Sequence, residues 1–221
     1  MKKLKIILLL LASSMYSQVE KETGDFTKVT TFDKIDVLLV AANENKIIIN
    51  GKEAHLVEVI NKNGELKIRM PFSKTMQGDD ISVTLYYKTI EALEANEGSR
   101  IASTEIFKTV FFDLIAKEGA EINIKLDVNK LDVKANSGAI VTVSGNGKNQ
   151  DLLIHSGAIY NGKSFKTEQT TVTINAGGEA SIKVIDLVDA KVRAGGKVLI
   201  YGNPSQIKQA IVAGGSIVEA D

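Results

Sequence analysis

The chain has 221 residues, with 27 basic and 27 acidic side chains, two histidines and no cysteine. That balance, with only three arginines (Arg69, Arg100, Arg193), lacks the basic footprint of a nucleic-acid-binding protein. Without cysteine there is no disulfide, no thiolate metal site and no lipoprotein-type N-terminal anchor.

Residues 1–17 read as a secretory signal. Lys2, Lys3 and Lys5 precede an apolar run from Ile6 to Ala12, and small residues come after it. The run is shorter than the roughly 20 residues that span a bilayer, so cleavage near Ser17 is expected, with Ser14 as the alternative site. Loss of the three leader lysines leaves 24 basic against 27 acidic residues. No later apolar run is long enough to span a membrane as a helix. The mature chain is therefore expected in the periplasm or outside the cell.

Residues 18–90 form a β-rich N-terminal part continuous with the rest of the chain. Phe32 to Val37 opens a strand that runs to Val40, and Lys46 to Ile49 forms another. Asn50-Gly51 and Asn63-Gly64 are tight-turn signals, since both residue types tolerate positive φ. Leu56–Ile60 and Leu66–Met70 flank the second. Pro71 to Asp80, "PFSKTMQGDD", is the longest polar break, and Ile81 to Tyr87 is a strand.

From residue 91 to 221 the chain repeats. Glu121 to Val128 alternates polar and apolar residues, as one face of a strand requires. Leu131, Val133 and Ala135 continue that pattern, and Val172, Ile174, Ala176 and Ala190, Val192, Ala194 echo it. Glycines precede the strands at Gly98, Gly119, Gly138, Gly157, Gly178, Gly196 and Gly215, with gaps of 21, 19, 19, 21, 18 and 19 residues. A period near 20 without helix-length segments predicts an all-β fold, a β-solenoid of about seven glycine-cornered rungs that bury their faces by stacking. Glycine pairs such as Gly195-Gly196 lead into strands, so they read as corners and not as phosphate cradles, which lead into helices.

The corners "SGA" and paired Gly-Gly, the opening "FDKIDV" and the late "YGNP" (Tyr201 to Pro204) together resemble the head GIN domain family of putative auto-transporter adhesins. The resemblance covers nearly the whole mature chain. It implies a right-handed parallel β-helix-like fold in an exported, non-catalytic protein, and no cofactor. Glu97-Gly98 and Glu118-Gly119 depart from the family's corner pattern.

The chemistry-bearing residues are few. His55 and His155 lie 100 residues apart and make no metal site. Asp151, His155 and Ser156 fail as a triad because strand neighbours point to opposite faces. Asp113, Asp127, Asp132, Asp151, Asp186 and Asp189 are not expected to share one phase of the repeat, which leaves a polysaccharide lyase or hydrolase as the enzyme alternative without a paired-carboxylate site. Tyr86, Tyr87, Tyr160 and Tyr201 are the candidate contacts for a glycan. Gly145–Gln150 and Asn161–Gln169 read as polar loops where a partner could be recognised. The leading function is adhesion to or binding of glycans or other envelope components; a structural or assembly role in the periplasm is the alternative. An open solenoid end invites self-association, and surface display is expected to need other machinery, since no translocator barrel is expected after the last rung.

Overall fold

A computed structural model describes residues 18–220. The leader expected over residues 1–17 lies outside the described residues. Eight short strands come first: β1 (Gln18–Glu22), β2 (Lys28–Thr31), β3 (Asp36–Ala41), β4 (Lys46–Asn50), β5 (Glu58–Lys62), β6 (Glu65–Arg69), β7 (Ser82–Tyr87) and β8 (Ala92–Ala95). Long bent strands come next: β9 (Arg100–Ala116), β10 (Glu121–Ala135), β11 (Ile140–His155), β12 (Ile159–Asn175) and β13 (Glu179–Arg193). The coil ends in β14 (Lys197–Tyr201), β15 (Gln206–Val212) and β16 (Ser216–Glu219).

The strands make a β-solenoid of about seven turns. β9 to β13 pair in parallel and in chain order; β14 and β15 then stack on the two halves of β13, and β16 stacks on β14. The N-terminal strands belong to the same sheet, since β3 and β8 pair with the two halves of β9. Their order is not sequential. β7 lies outside β3, and β6 lies outside β2. Antiparallel strands β4 and β1 on one side, and the β5–β6 hairpin on the other, border that end. The hairpin turns at Asn63-Gly64, as expected, with φ of 54° and 78°.

Alternation along each strand drives side chains inward in columns. One column runs Val37, Ile101, Ile122, Val141, Tyr160, Ala180, Val198, Ile217. Another runs Ala95, Ala116, Ala135, Ile154, Ile174, Val192, Ile211. Two segments read as polar loops are strand. Gly145–Gln150 lies in β11 and Asn161–Gln169 in β12, where Phe165 is fully buried. Their glycines made them look like loops, but a Cβ on Gly147 would stand 2.7 Å from the Phe165 ring and one on Gly162 2.4 Å from the Tyr160 ring. These glycines make room for aromatics inside the coil.

The corners are pairs of left-handed residues. Glu118-Gly119, Ser137-Gly138 and Ser156-Gly157 have φ near 50–70° at both positions, and the residue after each donates its N–H back across the turn at 3.0–3.1 Å. This is the geometry of a two-residue turn with both central φ positive. The last three corners fall one residue earlier than expected, on Ala176-Gly177, Ala194-Gly195 and Ala213-Gly214. Gly178, Gly196 and Gly215 are therefore not the equivalents of Gly98, Gly119, Gly138 and Gly157. They occupy the next position, which carries Ser99, Ala120, Ala139 and Ala158 in earlier rungs. There a Cβ would stand 2.7 Å from Ile154 Cγ2 at Gly178, 2.6 Å from Ile174 Cγ2 at Gly196 and 2.4 Å from Val192 Cγ1 at Gly215. Where the column holds Ala116 and Ala135, the post-turn residue keeps its methyl; where it holds Ile or Val, the methyl is gone. Interiors packed to crystal-like density leave no room for both.

An eighth corner has no glycine. Asp33 and Lys34, inside the "FDKIDV" stretch read as strand, both adopt positive φ, 61° and 63°. Lys34 N–H donates to Glu97 O at 2.9 Å, the same contact by which Gly98 N–H reaches Glu118 O.

The exchange of volume at the corners predicts a coupling. Gly178→Ala overpacks and costs about 1–3 kcal/mol. Ile154→Ala opens space in front of it and recreates the Ala135/Ala158 arrangement. In a double-mutant cycle measured by urea unfolding, the pair costs less than the sum of the two single changes.

Candidate functional site

The four tyrosines do not share a surface. Tyr87 is buried, its ring stacked on Phe107 with centroids 5.3 Å apart. Tyr160 is 0% exposed. Its hydroxyl is hydrogen-bonded by Gln150 Nε2, and Thr170 Oγ1 donates to Gln150 Oε1 at 3.3 Å. Burial drives the Tyr160 pKa well above its ordinary value. Both side chains fall on the inward phase of their strands and cannot meet a glycan. Tyr86 and Tyr201 are half-buried on the outward phase. A lysine lies over each ring: Lys46 over Tyr86 at 5.3 Å and Lys163 over Tyr201 at 4.2 Å from the centroid.

Four of the six aspartates expected out of phase share a column; Asp127 and Asp186 do not. Asp113, Asp132 and Asp151 stand in register on successive rungs, followed by Thr171 and Asp189. Their 19-residue separation is one rung. Lys130 Nζ lies 3.3 Å from Asp132 and 3.0 Å from Asp151, and the two carboxylates raise the pKa of that ammonium. An acid–base pair for glycoside cleavage needs its two carboxylates in different environments; Asp132 and Asp151 share one cation, while burial raises the Asp113 pKa. His155 meets Asn175 of the next rung, Nδ1 to Nδ2 3.2 Å, and Ser156 is a corner residue, so no triad forms. Among the described residues no three His, Cys, Asp or Glu side chains converge as metal ligands.

The surface feature that sequence reasoning missed is the polar break at residues 71–80. It is the corner of the outermost rung, joining β6 to β7 and seated on the Asp33-Lys34 corner. Pro71 leads into a short 3-10 turn over Phe72–Lys74, and Phe72 is 98% exposed. The loop is nonetheless tightly held. Buried Asp33 accepts from Met70 N–H at 2.9 Å and from Met76 N–H at 2.7 Å. Gly78 N–H donates to Asp33 O at 2.9 Å, Lys74 N–H to Pro71 O at 2.7 Å, and Thr75 Oγ1 to Phe72 O at 2.9 Å. Met76 keeps a left-handed φ of 64°, a strained conformation for its side chain that these bonds offset. Beside the loop opens a cleft of about 330 Å³ lined by Phe32, Asp33, Glu58, Arg69, Met70, Phe72, Thr75 and Glu97. Arg69 Nε donates to Glu58 Oε2 at 2.8 Å, and the Arg69 side chain is about half exposed. Burial, and then the neighbouring Asp33 charge, raise the Glu97 pKa. The signal in the sequence was a lone aromatic inside ten otherwise mostly polar residues.

A second cleft, about 500 Å³, is lined by Glu20, Lys46, Lys88 and their neighbours. Most of its charges pair, Lys46 with Glu20 and Glu44 at 3.3 and 3.2 Å and Lys88 with Asp25 at 3.5 Å. It offers a ligand little that is unspent.

The sign of the Glu97 effect is fixed by its raised folded-state pKa. Its ionised form is disfavoured in the fold, so its contribution is full below the unfolded pKa and is lost as pH rises through the folded one. Glu97→Gln therefore raises stability at neutral pH, and the advantage disappears in acid below the ordinary carboxylate range. Thermal unfolding of both chains across pH 3.5–7.5 reads the difference.

The architecture matches known proteins. It is similar to a putative adhesin from Bacteroides fragilis, with a TM-score of 0.85 at 16% identity, covering 94% of this chain and 98% of that one. It is similar to a putative adhesin from Parabacteroides merdae, TM-score 0.75 at 16% identity over 93% and 96%. It also resembles a putative lipid binding protein from Parabacteroides distasonis, TM-score 0.70 at 13% identity over 93% and 96%. No curated protein matches the chain. The family described as "Putative auto-transporter adhesin, head GIN domain" matches residues 25–204, and the chain belongs to that family.

Proposed function

We propose that this chain is an exported, non-catalytic binding module of the cell envelope that engages a glycan through the Phe72 cleft. The observation that carries the reading is Phe72 itself, an almost fully exposed aromatic on a loop pinned by a buried carboxylate. A free aromatic on a loose loop is an accident of surface composition; one held in place by several backbone bonds is pre-organised to bind. Its neighbours suit a sugar. The ring face can cover the C–H face of a pyranose, while the Arg69 fork and the Glu58 and Glu97 carboxylates can bond its hydroxyls. A largely apolar contact with a few placed polar groups is the usual make-up of such sites. Export is supported by the adhesin character of the family and by the leader-like residues 1–17.

A glycan array probed with residues 18–221 tests the reading. Binding to one glycan class that Phe72→Ala abolishes is expected. Because Phe72 is almost fully exposed, the same change leaves unfolding free energy within about 0.5 kcal/mol. Binding that survives Phe72→Ala would sink the proposed site, and an array with no signal would sink the glycan.

A second reading, an assembly role, draws on the last rung. Ile211 and Val212 on β15 are 48% and 56% exposed, and Val218 on β16 is 45% exposed. Each of these strands has one hydrogen-bonded neighbour among the described residues. Unpaired, apolar edges favour pairing with another copy. Light scattering at high protein concentration should then give a mass above the monomer, and Ile211→Lys should return it to the monomer. A monomeric mass throughout removes this reading.

A further inference from the structure

The late "YGNP" element lies far along the coil from the Phe72 cleft, and the glycan reading does not use it. Lys166, Lys183 and Tyr201 stand in register on β12, β13 and β14 and face outward. In β12 the residues 163–165 have no opposite number in β13. Such a bulge re-aims a side chain, and Lys163 is swung so that its ammonium rests 4.2 Å from the centre of the Tyr201 ring. A cavity of about 410 Å³ opens there, lined by Lys163, Lys183, Tyr201, Gly202, Asn203 and Ala220. Its floor lies tight on the rung below: a Cβ on Gly202, at φ 95°, would meet Val184 O at 2.5 Å.

The charges here are unbalanced among the described residues. Among the described residues none of Lys163, Lys166 and Lys183 has an acidic partner within 4.0 Å. Like charges directly opposed on neighbouring strands destabilise a sheet, and Lys166 and Lys183 are so opposed. Elsewhere on the coil the same problem is solved within the chain, as where Lys130 bridges Asp132 and Asp151. The cluster is three ammonium groups without an arginine fork, next to an aromatic ring and an amide. That composition suits carboxylates spread along a polymer at roughly the strand spacing of about 4.8 Å better than one phosphate gripped from two sides.

We propose that Lys163, Lys183 and Tyr201, with Lys166 beside them, form a second site that binds an acidic, uronate-bearing polysaccharide. The lysines neutralise successive carboxylates, Tyr201 supports a sugar ring at its free edge, and Asn203 bonds a hydroxyl. The site is independent of the Phe72 cleft and stands whether or not that cleft binds a glycan.

The test is isothermal titration of the full chain with polygalacturonate oligomers, with neutral dextran and anionic-lipid vesicles as parallel probes. Polygalacturonate binds, dextran does not, and the affinity falls as salt rises from 50 to 500 mM. The combined Lys163→Gln and Lys183→Gln variant loses about tenfold or more in affinity. Lys183→Arg, which keeps the charge, stays close to the parent, and Phe72→Ala leaves this binding unchanged. The lysines are exposed, so the variants fold. Equal binding of dextran, binding untouched by the double variant, or binding of vesicles without polygalacturonate would overturn the proposal. Loss through Phe72→Ala would instead move acidic-glycan binding to the other cleft.

Discussion

Each inward side chain of this coil rests on the residue one rung before it, at the inter-strand distance of about 4.8 Å. Neighbouring columns share one close-packed interior, so volume has to be balanced between them. The balance is visible at the corners. Ala116 and Ala135 allow a methyl on Ala139 and Ala158, whereas Ile154, Ile174 and Val192 face Gly178, Gly196 and Gly215. It is visible again at mid-rung, where Gly162 yields to Tyr160 and Gly147 to Phe165. Glycine therefore does two jobs in the chain. At Gly119 or Gly138 it supplies a left-handed turn with open space above it; at Gly178 or Gly162 it supplies the absence of a side chain.

The same stacking carries structure outward to the surface. Corner sits on corner, with Lys34 N–H on Glu97 O and Gly98 N–H on Glu118 O. The outermost corner is free on its far side, and the chain has lengthened it into the Phe72 loop. In the two-residue corner beneath, Lys34 stands where the other corners carry glycine, and Asp33 takes the first position, from which its buried carboxylate reaches the backbone of the longer loop. A repetitive scaffold with its core settled by stacking can vary an end corner at little cost to the rest, because each rung contacts only its neighbours. The bulge of β12 at residues 163–165 is the corresponding device at the other end, where one extra loop of strand redirects Lys163.

The fold was largely legible. The alternation of Glu121 to Val128 and the recurring glycines state the rung, its period and its parallel stacking, since those are local and periodic properties of the chain. The aspartate column was not: Asp113, Asp132 and Asp151 stand 19 residues apart, but the six aspartates together show no common phase, because two of them, Asp127 and Asp186, lie off the column. Nor were the buried tyrosines. Tyr160 lies two residues before Gly162 in a stretch rich in polar residues, and its inward direction depends on a phase set by the strand on either side. The corner register slipped by one for a related reason: in Ala-Gly-Gly the turn pair is Ala with the first glycine, while the second glycine meets Ile154, Ile174 or Val192 and, at Gly196 and Gly215, also keeps a positive φ of 115°.

The amino-acid sequence by itself determined the repeating β architecture, its approximate period and its kinship, because alternation and turn chemistry act within a few residues of one another. Tertiary structure alone decided which face of each strand is inside, which glycine turns the corner, and where side chains such as Phe72, Lys163 and Lys183 come to stand. Those are set by contacts between rungs about 20 residues apart, with a period that varies from 18 to 21. A slip of one residue in that count reverses every side chain of a strand, so no reading along the chain could place them.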